Sequence, residues 1–110
     1  VKNLCLSLLA AALALPAAAQ DAGQVKRGFE LYKQKNCQMC HQLGGQGNRT
    51  GTAHDGVGAR LKPEEIRQWL VDPKAMAQKK GSTKKPPMIP YKHLPKADLD
   101  ALVAYLSSLK

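Results

Sequence analysis

Cys37-Gln38-Met39-Cys40-His41 joins three reactive side chains at a spacing that suits one chemistry well. Two cysteines separated by two residues, with histidine next, form the attachment pattern for c-type haem. The spacing lets both sulfurs reach the two vinyl groups on one edge of a porphyrin. The following imidazole then turns towards the iron from the same side. On this reading Cys37 and Cys40 become thioethers and His41 an axial ligand. The opposite face needs a second donor. Pro87-Met88-Ile89-Pro90-Tyr91 offers a methionine in a proline-stiffened, non-helical stretch, and His/Met ligation raises the reduction potential of such an iron. Met39 lies inside the attachment motif and cannot reach back across the ring. Met76 follows a helical stretch closely and reads as packing. His54 and His93 stay open as competing donors.

The elements that must hold these groups read as helices and loops. Asp21 with Gln24 three residues on has the form of a capping box. Val25, Phe29 and Tyr32 then recur at helical spacing with Gly28 beside them. Gly28 reads either as a site of close approach by another helix or as a glycine tolerated near a helix start. Gly44 to Gly51 holds too many glycines for helix or strand and reads as a loop; no strand precedes it, which argues against a nucleotide site. Pro63, Glu64 and Glu65 mark a helix start, and Ile66, Trp69 and Leu70 give it an apolar face. Asp72-Pro73 ends it, since the residue before proline is pushed out of α space. The lysine-rich stretch 74–87 reads as a mobile surface loop. Its Lys79, Lys80, Lys84 and Lys85 serve either solubility or docking. A last helix runs from near Pro95 to about Leu109, with Leu99, Leu102, Val103, Leu106 and Leu109 as one stripe. No alternating strand pattern occurs. The fold class is all-α, with three to four short helices around one covalently attached haem.

Taken in order, Gly28-Phe29, Cys37–His41, Gly56–Leu61, Met88–Tyr91 and the closing Leu99–Leu109 helix resemble the class I c-type cytochromes, the small monohaem electron carriers. The resemblance covers most of the chain after about residue 22. It implies that the first and last helices cross at Gly28 and Phe29, with Tyr105 packed at that crossing. It implies Met88, in its Met-x-Pro-Tyr context, as the sixth ligand. The family usually has a Gly-Pro pair whose carbonyl accepts the Nδ1 hydrogen of the haem histidine. This chain has Gly51-Thr52, which keeps the carbonyl but loses proline's rigidity. His54 stands where the family often has an apolar residue. Trp69 reads either as core packing or as a donor to a haem propionate. The implied activity is outer-sphere transfer of single electrons, not enzymatic catalysis. The implied partners are redox proteins with acidic surfaces, a dehydrogenase or a terminal oxidase.

Residues 1–19 read as an export signal: Lys2, an apolar run from Leu4 to Leu15, then Ala17-Ala18-Ala19. The run falls short of the ~20 apolar residues of a membrane span, and an uncleaved anchor is the alternative. The expected domains are thus a cleaved signal peptide, 1–19, and a cytochrome c domain, 20–110, located in the periplasm with no stable membrane span. Removal of the signal takes Cys5 and leaves only the motif cysteines, so no disulfide framework is built. It takes Lys2 alone among the charged residues, which brings the formal charge from +9 to +8. With one Trp and one Phe, so small a domain gains from a buried porphyrin as a structural staple.

Rival classes fit less well. A haem sensor or haem enzyme needs an open far side, and the bundle-type cytochromes of that class carry the motif near the C-terminus. A thiol–disulfide exchange domain would use Cys37 and Cys40 but lacks a βαβ setting. A zinc site lacks a fourth ligand. Nucleic-acid binding lacks interleaved aromatics and conflicts with export. An electron-accepting cytochrome subunit of a periplasmic dehydrogenase complex remains the alternative to a free carrier.

Overall fold

The structure, a computed structural model, describes residues 17–110. The apolar Leu4–Leu15 run lies outside the described residues. Five α-helices and one 3-10 turn make up the described chain: α1 (Ala17–Gln34), the turn Cys37–Met39, α2 (Val57–Arg60), α3 (Pro63–Val71), α4 (Pro73–Lys80) and α5 (Lys96–Ser108). Among the described residues there is no strand, only an isolated bridge between Leu43 and Gln46. The all-α class is as expected. None of the described helices is long and apolar enough to cross a membrane.

Two boundaries differ from the sequence reading. Helix α1 runs unbroken from Ala17 through residue 21, so Asp21 is not its N-cap. The alanines upstream are strong helix formers and impose no stop. The second difference is α4, which occupies residues read as loop. Asp72-Pro73 does end α3, but the same pair starts the next helix. The Asp72 carboxylate accepts from the Ala75 N–H at 3.2 Å, and Pro73 sits at the first helical position. Gly81, at φ 66, closes α4.

The core forms where α1 lies across α5. Gly28 has its backbone against the α5 main chain: a Cβ there would stand 2.0 Å from the Ala101 carbonyl oxygen and 2.6 Å from Tyr105 Cβ. Close approach is therefore the reason for Gly28. The inner face of α1 continues through Leu31 and Tyr32, three and four residues on, 2% and 1% exposed. That phase corrects the expected partner of Gly28. Phe29 lies at the edge, 42% exposed, with its ring 5.5 Å from that of Tyr105 and the Lys33 ammonium 4.4 Å above it. Tyr32 fills the crossing instead, 5.2 Å from the Tyr105 ring.

From α5, Leu99, Leu102, Val103 and Leu106 enter the core as expected, joined by Ala101 and Tyr105; Leu109 is half-buried. Val57, Ile66 and Leu70 complete the core from α2 and α3. The start of α2 meets the end of α5 through the Gly58 N–H, which donates to the Leu109 carbonyl at 2.8 Å. Ion pairs trim the surface: Arg67 with Asp100, Lys96 with Asp100 at 2.8 Å, and Arg27 with Asp98 at 3.4 Å. Exposed pairs of this kind contribute little each.

Glycine to alanine normally gains up to about 1 kcal/mol inside a helix. Gly28→Ala should instead destabilise the protein by about 1–3 kcal/mol, the range for forced overpacking. Gly23→Ala, on the same helix with nothing within 4 Å of its added Cβ, should be neutral or stabilising. Denaturant unfolding of both variants checks the pair; equal midpoints would refute the close-approach explanation.

Candidate functional site

Helix α1 ends where the Cys37–His41 motif begins, and Asn36 makes the bend. Its φ of 52 and ψ of 43 are left-handed, the only positive φ at a non-glycine among the described residues. Asparagine tolerates that region better than most residues. The bend turns the chain into the 3-10 turn at Cys37, and the Cys37 carbonyl then accepts from the Cys40 and His41 N–H groups at 3.2 and 3.0 Å. The motif is thus one compact turn with both cysteines and His41 half-buried. Both thiols are free. Burial pushes the Cys37 thiol up to about 11, with the neighbouring Cys40 adding to the rise against a backbone hydrogen bond that lowers it. A disulfide-exchange nucleophile needs the opposite shift.

The glycine-rich loop folds back over this turn. The Gly51 N–H donates to the Cys40 carbonyl at 2.6 Å. His41 Nδ1 donates to the Thr52 carbonyl oxygen at 2.6 Å, so the carbonyl expected of the Gly51-Thr52 pair is in place without proline. This fixes the proton on Nδ1 and leaves Nε2 free as a donor to a metal. The contact requires glycine at 51, because a Cβ there would stand 2.6 Å from His41 Cε1 and 2.8 Å from Nδ1.

Beyond Thr52 the chain is held by Arg60, which the sequence reading placed in the Gly56–Leu61 stretch without giving it a role. Its guanidinium donates to the Ala53 carbonyl at 2.9 Å and to the Asp55 carbonyl. Between those anchors, His54 stacks on His41 with ring centroids 3.9 Å apart and planes 18° from parallel. Its Nδ1 meets the Tyr32 hydroxyl at 2.8 Å. With His41 as one axial ligand, a ring stacked on it would not reach the iron from across a porphyrin, which speaks against His54 as the sixth ligand.

Met88 lies in the non-helical stretch after α4, half-buried and packed against the core cluster. The Tyr91 N–H donates to the Leu70 carbonyl at 2.7 Å. That carbonyl is among the last four of α3 and has no partner within the helix, so the free end of α3 pins the stretch that carries Met88. The other methionines are unsuited: Met39 is 68% exposed, and Met76 is buried on α4 at 4%. His93 lies exposed in the turn before α5. Trp69 is half-buried on α3, a position that leaves both of its readings open. Among the described residues no group of three or more His, Cys, Asp or Glu could hold a metal ion, which disfavours the zinc reading.

Residues 25–110 match the family described as cytochrome c. The chain belongs to the cytochrome c family. It is a class I c-type cytochrome, all-α, with haem c bound covalently through the Cys37–His41 motif. Its general role is electron transfer. The cytochrome is also 30% identical over 92 residues to cytochrome c oxidase subunit 2 of Alkalihalophilus pseudofirmus, a match covering 76% of this chain and 25% of that protein. The chain thus spans about a quarter of the length of this relative. No solved structure matches it.

The donor set suits the haem that the family implies. The cytochrome presents two free thiols on one turn, an imidazole whose Nδ1 is engaged and Nε2 available, and a half-buried thioether held against the core. Gly51→Ala should push the His41 ring off the Thr52 carbonyl. The expected result is a lower haem-to-protein ratio after maturation and a lower unfolding temperature. Haem content by alkaline pyridine spectroscopy checks it, and wild-type values for both would refute the close-approach role of Gly51.

Proposed function

We propose that this cytochrome is a periplasmic carrier that passes single electrons between redox proteins by outer-sphere transfer. Cys37 and Cys40 are the thioether links, His41 and Met88 the axial ligands. The observation that carries the proposal is the His41 Nδ1–Thr52 hydrogen bond within the attachment motif, because it readies Nε2 alone for iron. When bound, the haem supplies the one-electron couple. The chain's own contribution is to hold an imidazole and a thioether in place so that neither face is open to a substrate. A soft thioether favours the reduced state. Residues 1–19 serve as the export signal and residues 20–110 as the working domain, with no bond made or broken in a substrate.

The partner presents an acidic surface. Lys79, Lys84 and Lys85 are exposed on α4 and the stretch that leads to Met88; Lys80, beside them, pairs with Glu65 at 3.2 Å. Such a patch speeds encounter through long-range attraction. The likeness to an oxidase subunit supports a terminal oxidase as acceptor. It also supports a second reading, in which this domain works as the electron-receiving part of a larger oxidase assembly. The likeness does not favour a dehydrogenase subunit, the other alternative, over these two.

Absorption spectra of the oxidised and reduced protein test the ligand set. The reduced wild type should not bind carbon monoxide. Met88→Ala should bind it, lose the thioether-to-iron charge-transfer band and fall in midpoint potential. Carbon monoxide binding by the wild type would instead indicate an open-sided sensor. The electron-transfer rate to an acidic partner should fall as salt rises, since attraction is screened over ~10 Å at 0.1 M. Stopped-flow rates across ionic strength check this, and a flat dependence would remove the role of the lysines.

A further inference from the structure

We propose that His54 is a positioning residue for His41: its stacked ring sets the plane of the axial imidazole, and through it the electronic state of the iron. The proposal rests on the axial role of His41 proposed above. The Thr52 carbonyl alone does not fix that plane. A carbonyl oxygen accepts over a broad range of directions, so one hydrogen bond anchors Nδ1 and still lets the ring swing. A flat surface against the ring face removes the swing. His54 supplies it at 3.9 Å and 18°.

His54 is held at every handle. Its N–H donates to the Gln42 carbonyl at 2.8 Å, and its own carbonyl accepts from the Val57 N–H at 3.0 Å. Arg60 clasps the carbonyls on either side of it. Its ring plane is tied by Tyr32, which is 1% exposed and wedged against Tyr105. Burial raises the Tyr32 pKa well above the ordinary phenol value, so its hydroxyl keeps its proton. If Nδ1 donated instead, the buried hydroxyl hydrogen would lack an acceptor, which is unfavourable for a buried donor. Tyr32 thus donates and Nδ1 accepts. An aliphatic side chain would fill the same space without an oriented plane.

The test uses the mature haem protein with His54→Ala, His54→Phe and Tyr32→Phe, read by electron paramagnetic resonance of the oxidised form and by midpoint potential. His54→Ala should broaden or shift the g values. It should also raise the potential, because a swinging ring makes a weaker bond to Thr52 and becomes a poorer electron donor to the metal. His54→Phe keeps a flat face but loses the Tyr32 tie, so it should shift both readouts by less than His54→Ala and about as much as Tyr32→Phe. Tyr32→Phe should move both readouts in the direction of His54→Ala by a smaller amount. Wild-type g values and potential in His54→Ala would overturn the proposal, as would identical shifts in His54→Ala and His54→Phe. Should His54→Ala fail to mature, unchanged g values in Tyr32→Phe would overturn it. A wild-type spectrum without His/Met signatures would overturn the ligation itself, and it is read before any variant is compared.

Discussion

The hydrogen bond from His41 Nδ1 to the Thr52 carbonyl is the constraint on which most of the site depends. A histidine next to an attached cysteine is brought near the porphyrin by covalent geometry alone. Its ring can still rotate, and either nitrogen could carry the proton. One carbonyl at 2.6 Å decides the proton and anchors Nδ1, and the stacked His54 ring limits the rotation that remains. The cost is steric: the chain must run so close to the imidazole that residue 51 can carry no side chain. Gly51 is therefore a requirement of this hydrogen bond rather than a sign of looseness in the loop. The Gly51 N–H to the Cys40 carbonyl adds a second tie between loop and turn. Loop and motif then behave as one unit, although His41 and Thr52 lie eleven positions apart in sequence.

That unit is placed by a helix crossing with the same logic. At Gly28 the α1 and α5 backbones come within the space a methyl group would need. The close crossing brings Tyr32 between α5 and the haem-binding turn, with its ring near Tyr105 and its hydroxyl on His54. A buried phenol needs a partner for its hydroxyl, and here the partner is the ring that stacks on His41. Packing at the crossing and orientation at the site are thus joined through one side chain. Repacking α1 against α5 would be felt at the His41 ring, through Tyr32 and His54, without any change near the motif.

Different parts of this arrangement were legible in the sequence to different degrees, for physical reasons. The Cys37–His41 turn is legible because its chemistry lies within five consecutive residues. The all-α class and the α5 stripe are legible because periodicity is local. The Thr52 carbonyl was reached by resemblance, since any residue offers a carbonyl and composition is silent on which one lies nearby. Phe29 and Tyr32 were both read on the apolar face of α1, and both rings meet Tyr105; only the packing shows that Tyr32 is buried there and Phe29 lies at the edge. Helix α4 was hidden because Asp72-Pro73 carries a stop and a start signal at once, and the lysines that follow are as compatible with helix as with loop. Arg60 and the Tyr32–His54 pair carry no sequence signal, because their partners are distant in the chain or belong to the main chain. The bend at Asn36 did have one, an asparagine at a helix C-terminus.

An electron carrier works best when its two oxidation states share one geometry, because any ligand motion between them must be completed before the electron moves. In this cytochrome the proposed axial imidazole is bounded by a carbonyl at Nδ1, a backbone without a side chain at its edge and a stacked ring on its face. The proposed thioether is less confined. Met88 follows a stretch fixed mainly at its far end, by Tyr91 on α3. The two sides of the haem are therefore unequal in stiffness. Changes of ligation under stress, such as loss of a donor on partial unfolding, should begin on the methionine side, where fewer bonds hold the chain. The exposed lysines lie on that same side of the sequence. Docking on those lysines, as proposed, would place a partner beside the segment that carries Met88.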